Sequence, residues 1–174
     1  MDDVHIVPYD PAWPAMFAAE AARLRTVLPA ELLVGIEHFG STAIPGMAAK
    51  PVVDILIAVT SLARAKQEIV EPVLSLGYVY WKDNPKPDRM FFVKGMPPYG
   101  TARTHHVHVC EPEGEMWRRL AFRDHLRADA DEARRYEVLK RELAAQYATD
   151  RERYTAAKSA YIEEVYRKLG LGEG

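Results

Sequence analysis

The sequence predicts an α+β fold in which a mixed β-sheet comes first and a helical cover second. Between residues 34 and 110, short apolar runs with strand-like alternation are separated by loops rich in Gly and Pro. From Glu113 onward, apolar residues recur instead at helical spacing. The chain has 174 residues, 48% of them hydrophobic and 28% charged, which suits one ordinary globular domain over 1–174 with residues 112–170 mainly helical.

In order along the chain, the opening VHIVPYDPAWPAMF carries prolines at 8, 11 and 14, which hold the backbone extended or turned before a helix can start. A helix over 14–28 follows, with Met16, Phe17, Ala21, Leu24 and Leu28 on one stripe, and Pro29 ends it. Residues 34–39 read as a strand, 40–51 as a loop, and VVDILIAV at 52–59 as a strong strand whose apolar run is broken once, by Asp54. A helix over 62–76 is capped by Gly77. The runs at 78–81, 89–94 and 104–110, joined by Pro-rich loops, suggest an antiparallel meander. Helices are expected at 113–127, 130–148 and 150–169.

Charge excludes some functions. Lys plus Arg number 23 against 25 Asp plus Glu, and neither half of the chain is basic: 10 against 11 up to Cys110, 13 against 14 beyond it. Nucleic acid and anionic membrane therefore have little electrostatic support as partners, although a local basic cleft could hold a nucleotide or another small phosphate compound. One cysteine, Cys110, allows no internal disulfide and fits a reducing compartment. Asp2, Asp3 and His5 stand where a signal peptide would be basic, and no apolar run approaches the roughly 20 residues that span a bilayer. A cytoplasmic location is expected.

The chemistry concentrates in His38 to Ile57. Gly40 lets the backbone approach an anion, the hydroxyls of Ser41 and Thr42 can hold phosphate oxygens, and Lys50 adds positive charge at the far end of the loop. A plain strand connection with turn glycines uses the same residues. Asp54 changes the balance, because an unpaired carboxylate in an apolar strand is costly. Alternation puts Val53, Ile55, Ile57 and Val59 on one face and Asp54 on the other, which must open near it to water or a cleft. A turn cap or an ion pair with Lys50 or an arginine is the structural alternative.

The segment HFGSTAIPGMAAKPVVDI resembles the signature of the GrpB family, and similar matches run over nearly the whole chain: VPYDPAWPAMF, LGY at 76–78, HHVHV at 105–109, FRDHLR at 122–127, YEVLK at 136–140 and RYTAAKSAYI at 153–162. The resemblance implies a nucleotidyltransferase-type fold, in which Gly-Ser after one strand grips a triphosphate and acidic residues on following strands hold divalent metal. Gly40 and Ser41 match the first element, and Asp54 matches one carboxylate. The wider pattern asks for two acidic residues one position apart, but the positions flanking Asp54 at that spacing are Val52 and Leu56.

In THHVHVC, His106, His108 and Cys110 share a face, and His-x-His on a strand suits a transition metal or a hydrogen-bonded polar face. In FRDHLR, Arg123 can bind a phosphate, pair with Asp124 or face solvent; Arg127 reads as solvent-facing. Arg89, Lys140 and Lys158 are weaker candidates for a basic wall, and Tyr136, Tyr147, Tyr154 and Tyr161 read as helix-packing aromatics. The expected function is transfer of a nucleotidyl group from a nucleoside triphosphate to an acceptor, with Asp54 as catalytic carboxylate. Asp54, His106 and His108 would hold divalent metal: manganese, zinc, or magnesium once phosphate oxygens help. Two alternatives stand beside it: a non-catalytic nucleotide or anion sensor that lost a carboxylate, and a metal-dependent hydrolase built on His106 and His108.

Overall fold

A computed structural model describes residues 4–172; Asp2 and Asp3, on which part of the leader-peptide reading rests, lie outside the described residues. The elements are α1 (Trp13–Val27), β1 (Leu33–Phe39), a 3-10 turn (Ser41–Ala43), β2 (Val53–Val59), α2 (Leu62–Glu68), α3 (Val70–Leu74), β3 (Tyr78–Tyr80), β4 (Arg89–Lys94), β5 (His105–Cys110), α4 (Arg118–Ala128), α5 (Ala130–Gln146) and α6 (Arg151–Lys168). The expected α+β architecture holds, with a mixed five-stranded sheet in the order β1-β2-β5-β4-β3. β1 runs antiparallel to β2, β3–β4–β5 form the antiparallel meander, and β2 and β5 are the parallel pair.

The helix ends follow local chemistry. Ser61, Asp129 and Asp150 accept bonds from the first free amides of α2, α5 and α6. Two boundaries differ from the periodicity. The helix expected over 62–76 is broken into α2 and α3 at Ile69. Pro72 explains it: it has no N–H for the carbonyl of Glu68 and its ring would clash there, so it is accommodated in the first turn of a new helix. The helix expected from 113 begins only at Arg118, because Glu113 adopts a positive φ of 72° and the following segment is a series of turns.

One face of the sheet is closed by α1, α2 and α3. Val53, Ile55, Ile57, Val107, Val109, Met90 and Phe92 pack there against Trp13, Leu24, Ala65, Ile69 and Val73. Each fully buried branched or aromatic side chain contributes about 1.5–3 kcal/mol, so this layer is the main source of stability. The opposite face is covered in patches. Phe39, Leu56 and Cys110 meet Met116 and Leu120, and Ile44 and Met47 of the long loop pack on Phe122, Leu126, Tyr136, Ile162 and Tyr166. The polar residues of β2 and β5 lie between these patches. Among the described residues, no helix is long and apolar enough to cross a membrane.

Candidate functional site

The parallel pairing of β2 and β5 brings the polar residues together. Asp54 is in register with His106 and Leu56 with His108, while Phe39 at the end of β1 flanks Asp54 on the other side. Because paired residues share a face, Asp54, His106 and His108 project to the same side. His106 Nδ1 lies 3.3 Å and His108 Nε2 3.7 Å from Asp54 Oδ1. The three side chains are 28%, 12% and 20% exposed, so the group is reachable but not solvated like a surface cluster.

Gly40 follows β1 with φ 72° and ψ −174°, backbone that only glycine adopts readily. A Cβ placed there would stand 2.5 Å from Asp54 Oδ2. The carboxylate is thus packed directly against the Gly40 backbone, and the Gly-Ser turn and Asp54 form one unit.

The loop from Gly40 to Pro51 is held from outside. Glu137 accepts from the Ala48 amide at 2.8 Å, Lys140 donates to the Ala48 carbonyl at 2.7 Å, and Arg127 donates to the Ala43 carbonyl at 2.9 Å. Ala49 also exchanges backbone bonds with Val7 at 2.9 and 3.1 Å. A loop held by this many charge-assisted bonds is preorganised.

Electrostatics divides the site into an acid and a surrounding basic wall. Burial by itself would raise the Asp54 carboxyl; the His106 and His108 imidazoles beside it outweigh that, and the carboxyl falls well below its ordinary range. His106 is pushed down by burial, against the pull of Asp54. Arg103 Nη1 is 3.4 Å from His106 Nε2. A guanidinium only donates, so this contact leaves Nε2 as acceptor and the proton on Nδ1, facing Asp54.

Lys50 and Lys158 of α6 lie over the same ring, that of Tyr154, at 5.3 and 5.5 Å. Burial lowers Lys50 to about 7, with Lys158 and Arg151 adding to the effect. Lys158 falls to about 8 through burial, opposed by the charge of Asp54. Arg119 of α4 also bears on Lys158. Two ammonium groups of weakened charge beside one carboxylate form a surface ready for an anion.

Of the predicted residues, the structure brings Gly40, Asp54, His106 and His108 together, with Lys50 in the field of Asp54; the Ser41 hydroxyl follows Gly40 and bonds Tyr136. Two others are placed differently. Thr42 is buried and its hydroxyl bonds His38 Nε2 at 2.9 Å, so it holds the turn instead of facing a ligand. Arg123 commits its guanidinium to Glu37 at 2.7 Å, the His38 carbonyl at 2.9 Å and Asp124, which ties α4 to β1. Arg89 is likewise occupied by Asp88 and Glu115. Sequence reasoning ranked Lys158 low and read Tyr154 as packing. Their spacing of four, which puts them on one helical stripe, was the available signal.

The three donors fit a metal ion in part. Their ligating atoms lie within 4.8 Å of one another. Nitrogen and oxygen donors about 2.1 Å from a tetrahedral ion stand about 3.4 Å apart, close to the separations from Asp54. Asp54 is ready to ligate; His106 would first have to move its proton from Nδ1 to Nε2, toward Arg103, and His108 would ligate through Nε2 only with its proton on Nδ1. A groove of about 420 Å³ elsewhere, lined by Arg134, Arg135, Val138, Leu139, Glu142 and Tyr161, brings together no comparable group.

Comparison with known proteins places the fold. The profile described as GrpB protein matches residues 3–168. A UPF0157 protein of Pseudomonas aeruginosa is 50% identical over 164 residues, covering 94% of this chain and 66% of that protein. A dephospho-CoA kinase of Mycolicibacterium paratuberculosis is 35% identical over 188 residues, covering 95% of this chain but 46% of that protein. The chain thus spans less than two thirds of the length of these curated relatives. The crystal structure of conserved protein GrpB from Enterococcus faecalis superposes with a TM-score of 0.82 at 31% identity, covering 94% of this chain and 96% of that one. With its nucleotidyltransferase-like sheet and a family match over nearly its full length, the chain belongs to the GrpB family.

Proposed function

We propose that the cleft binds a nucleoside triphosphate and that the protein transfers a nucleotidyl group from it to an acceptor. The observation that supports this most is the single ensemble of a Gly-Ser turn in contact with Asp54, two histidines on the adjoining strand, and the Lys50–Lys158 pair. Gly40 gives a phosphate close access to the backbone, Ser41 offers a hydroxyl, and the two lysines take up negative charge. Asp54, with His106 and His108 once the ring nitrogens facing it are free of protons, would hold one manganese or zinc ion, or magnesium when phosphate oxygens complete the set. Bound there, the ion supplies neutralisation of charge developing on the phosphate oxygens. The preorganised loop fixes the phosphates without further ordering cost.

A second reading, a nucleotide or anion sensor without catalysis, draws on Leu56. It occupies the position of the missing second carboxylate and is fully buried among Phe39, Cys110 and Met116, so no acid has room there. Transfer of radiolabel from an α-labelled triphosphate to any acceptor separates the two. The relative named dephospho-CoA kinase motivates adding dephospho-CoA to the acceptor panel.

The binding test is calorimetric titration of metal-stripped protein with manganese, with and without ATP, on the parent and on Asp54→Asn. The expected result is one manganese per chain, and affinity reduced at least about tenfold in the variant, one charge-assisted ligand being worth about 1.5–3 kcal/mol. Equal affinity in both proteins would remove Asp54 from the metal, and no effect of ATP would remove the nucleotide.

A further inference from the structure

The sheet face that carries Asp54 is covered over only part of its width. Beyond β5 the same face continues to Phe91 and Val93 on β4, in register with His108 and His106, and then to Val79 on β3. Trp81, two residues past Val79, has its amide bonded to the Phe91 carbonyl and so extends this strip by one position. Met90 and Phe92 of β4 face the helices of the main core, whereas Phe91 and Val93 alternate with them and, among the described residues, belong to none of the helix-covered apolar clusters. The helix on β3, α3, packs on the other face, where Val73 and Tyr78 share the main core.

The strip is apolar, buried at Val93, half-buried at Phe91 and open toward its outer end. Val79 is 39% and Trp81 49% exposed. Its rings run unbroken from the candidate centre to the sheet edge: Phe91 stands 5.1 Å from the His106 ring and 4.8 Å from the His108 ring, and Trp81 follows 6.1 Å beyond Phe91. Leaving an indole in water forgoes burial energy, and an exposed aromatic continuous with a polar site is a mark of ligand contact.

We propose that this strip, Phe91 and Trp81 with Val79 at the margin, is the seat of the nucleobase. The inference rests on the phosphate-binding reading of the Lys50–Lys158 cleft. Phe91 is two strand spacings across and two residues along from Asp54, about 12 Å, and Trp81 one spacing further, about 16 Å, which is the scale of a nucleotide extended from its phosphates to its base. The width of two rings suits a planar heterocycle and falls far short of a protein interface. Every base offers a π-face, so stacking on Phe91 and Trp81 gives affinity with little base selectivity.

The test is titration of the manganese-loaded protein with ATP and, separately, with inorganic tripolyphosphate, on the parent, Trp81→Ala and Phe91→Leu. ATP should bind more tightly than tripolyphosphate to the parent. Trp81→Ala should weaken ATP about tenfold, leave tripolyphosphate unchanged, and leave the melting temperature in place because the side chain is exposed. Phe91→Leu, which keeps the apolar volume, should show the same selectivity with a smaller loss. If the parent binds the two compounds equally and Trp81→Ala changes neither, the strip is not a base site while the phosphate cleft stands. An equal loss for both compounds overturns the strip as well. If neither compound binds the parent, both readings fall together.

Discussion

Gly40→Ala tests the unit from which the site is built. Two costs add. The backbone at φ 72° and ψ −174° is essentially closed to residues with a Cβ, a strain of about 1–3 kcal/mol. The new methyl would also lie 2.5 Å from Asp54 Oδ2 and 3.1 Å from its Cβ, so the carboxylate must rotate away from His106 and His108. Losing a charge-assisted hydrogen bond adds about 1.5–3 kcal/mol. The sum is about 2.5–6 kcal/mol, and at about 2–4 °C per kcal/mol for a chain of this size the melting temperature should fall by at least about 5 °C. Gly46→Ala is the control: it also has a positive φ, 79°, but nothing lies within 4 Å of the added methyl. It should cost only the backbone strain, about 1–2 kcal/mol. Calorimetric melting of both variants, with tripolyphosphate titration on each, checks the argument. Should Gly40→Ala melt within about 2 °C of Gly46→Ala and bind the anion like the parent, the contact with Asp54 carries neither stability nor function.

Two further outcomes concern titrating groups. Lys50 and Lys158 are lowered to about 7 and about 8 from 10.5, so the unfolded chain binds more protons above those values. Their contribution to stability should therefore rise with pH from about 7 toward 10.5. Tripolyphosphate binding, which needs the charged lysines, should take up protons near pH 8, read as a buffer-dependent enthalpy; a heat independent of buffer would contradict the assignment. On the other face, Glu20 is buried and accepts from Tyr78 and Lys94 at 2.7 Å each. Glu20→Ala should cost about 3 kcal/mol in urea melts by leaving the Lys94 ammonium and Tyr78 hydroxyl without their acceptor, and a loss under about 1 kcal/mol would show the pair to be solvent-screened.

How much of this was legible in the sequence depends on how local each signal is. The strand around Asp54, the face it shares with His106 and His108, and the Gly40 turn all follow from alternation and from one misplaced carboxylate in VVDILIAV. The break at Ile69 was equally local, since Pro72 stood in the text, but helical periodicity on both sides outweighed it. Thr42 and Arg123 could not be placed from sequence, because each had several acceptors within reach and only the fold selects among them: His38 for the hydroxyl, Glu37 and the His38 carbonyl for the guanidinium. Lys158 joins Lys50 across about a hundred residues of chain through the Tyr154 ring. No spacing rule spans that distance.

On the proposed reading, the site has to work with one carboxylate. Two divalent ions need several anionic oxygens, and Asp54 supplies one negative charge. Around it, the positions next in register are His106 and the Leu56–His108 pair, an imidazole, a buried alkyl group and a second imidazole. Such a set can neutralise one ion at most. The charge that a second metal would bring to the phosphates is available instead from Lys50 and Lys158, fixed on protein and weakened by burial until an anion arrives. Removing either lysine should then depress affinity for a triphosphate much more than affinity for manganese alone, whereas Asp54→Asn should do the reverse. A site whose lysines and carboxylate respond identically to both ligands would not be divided in this way.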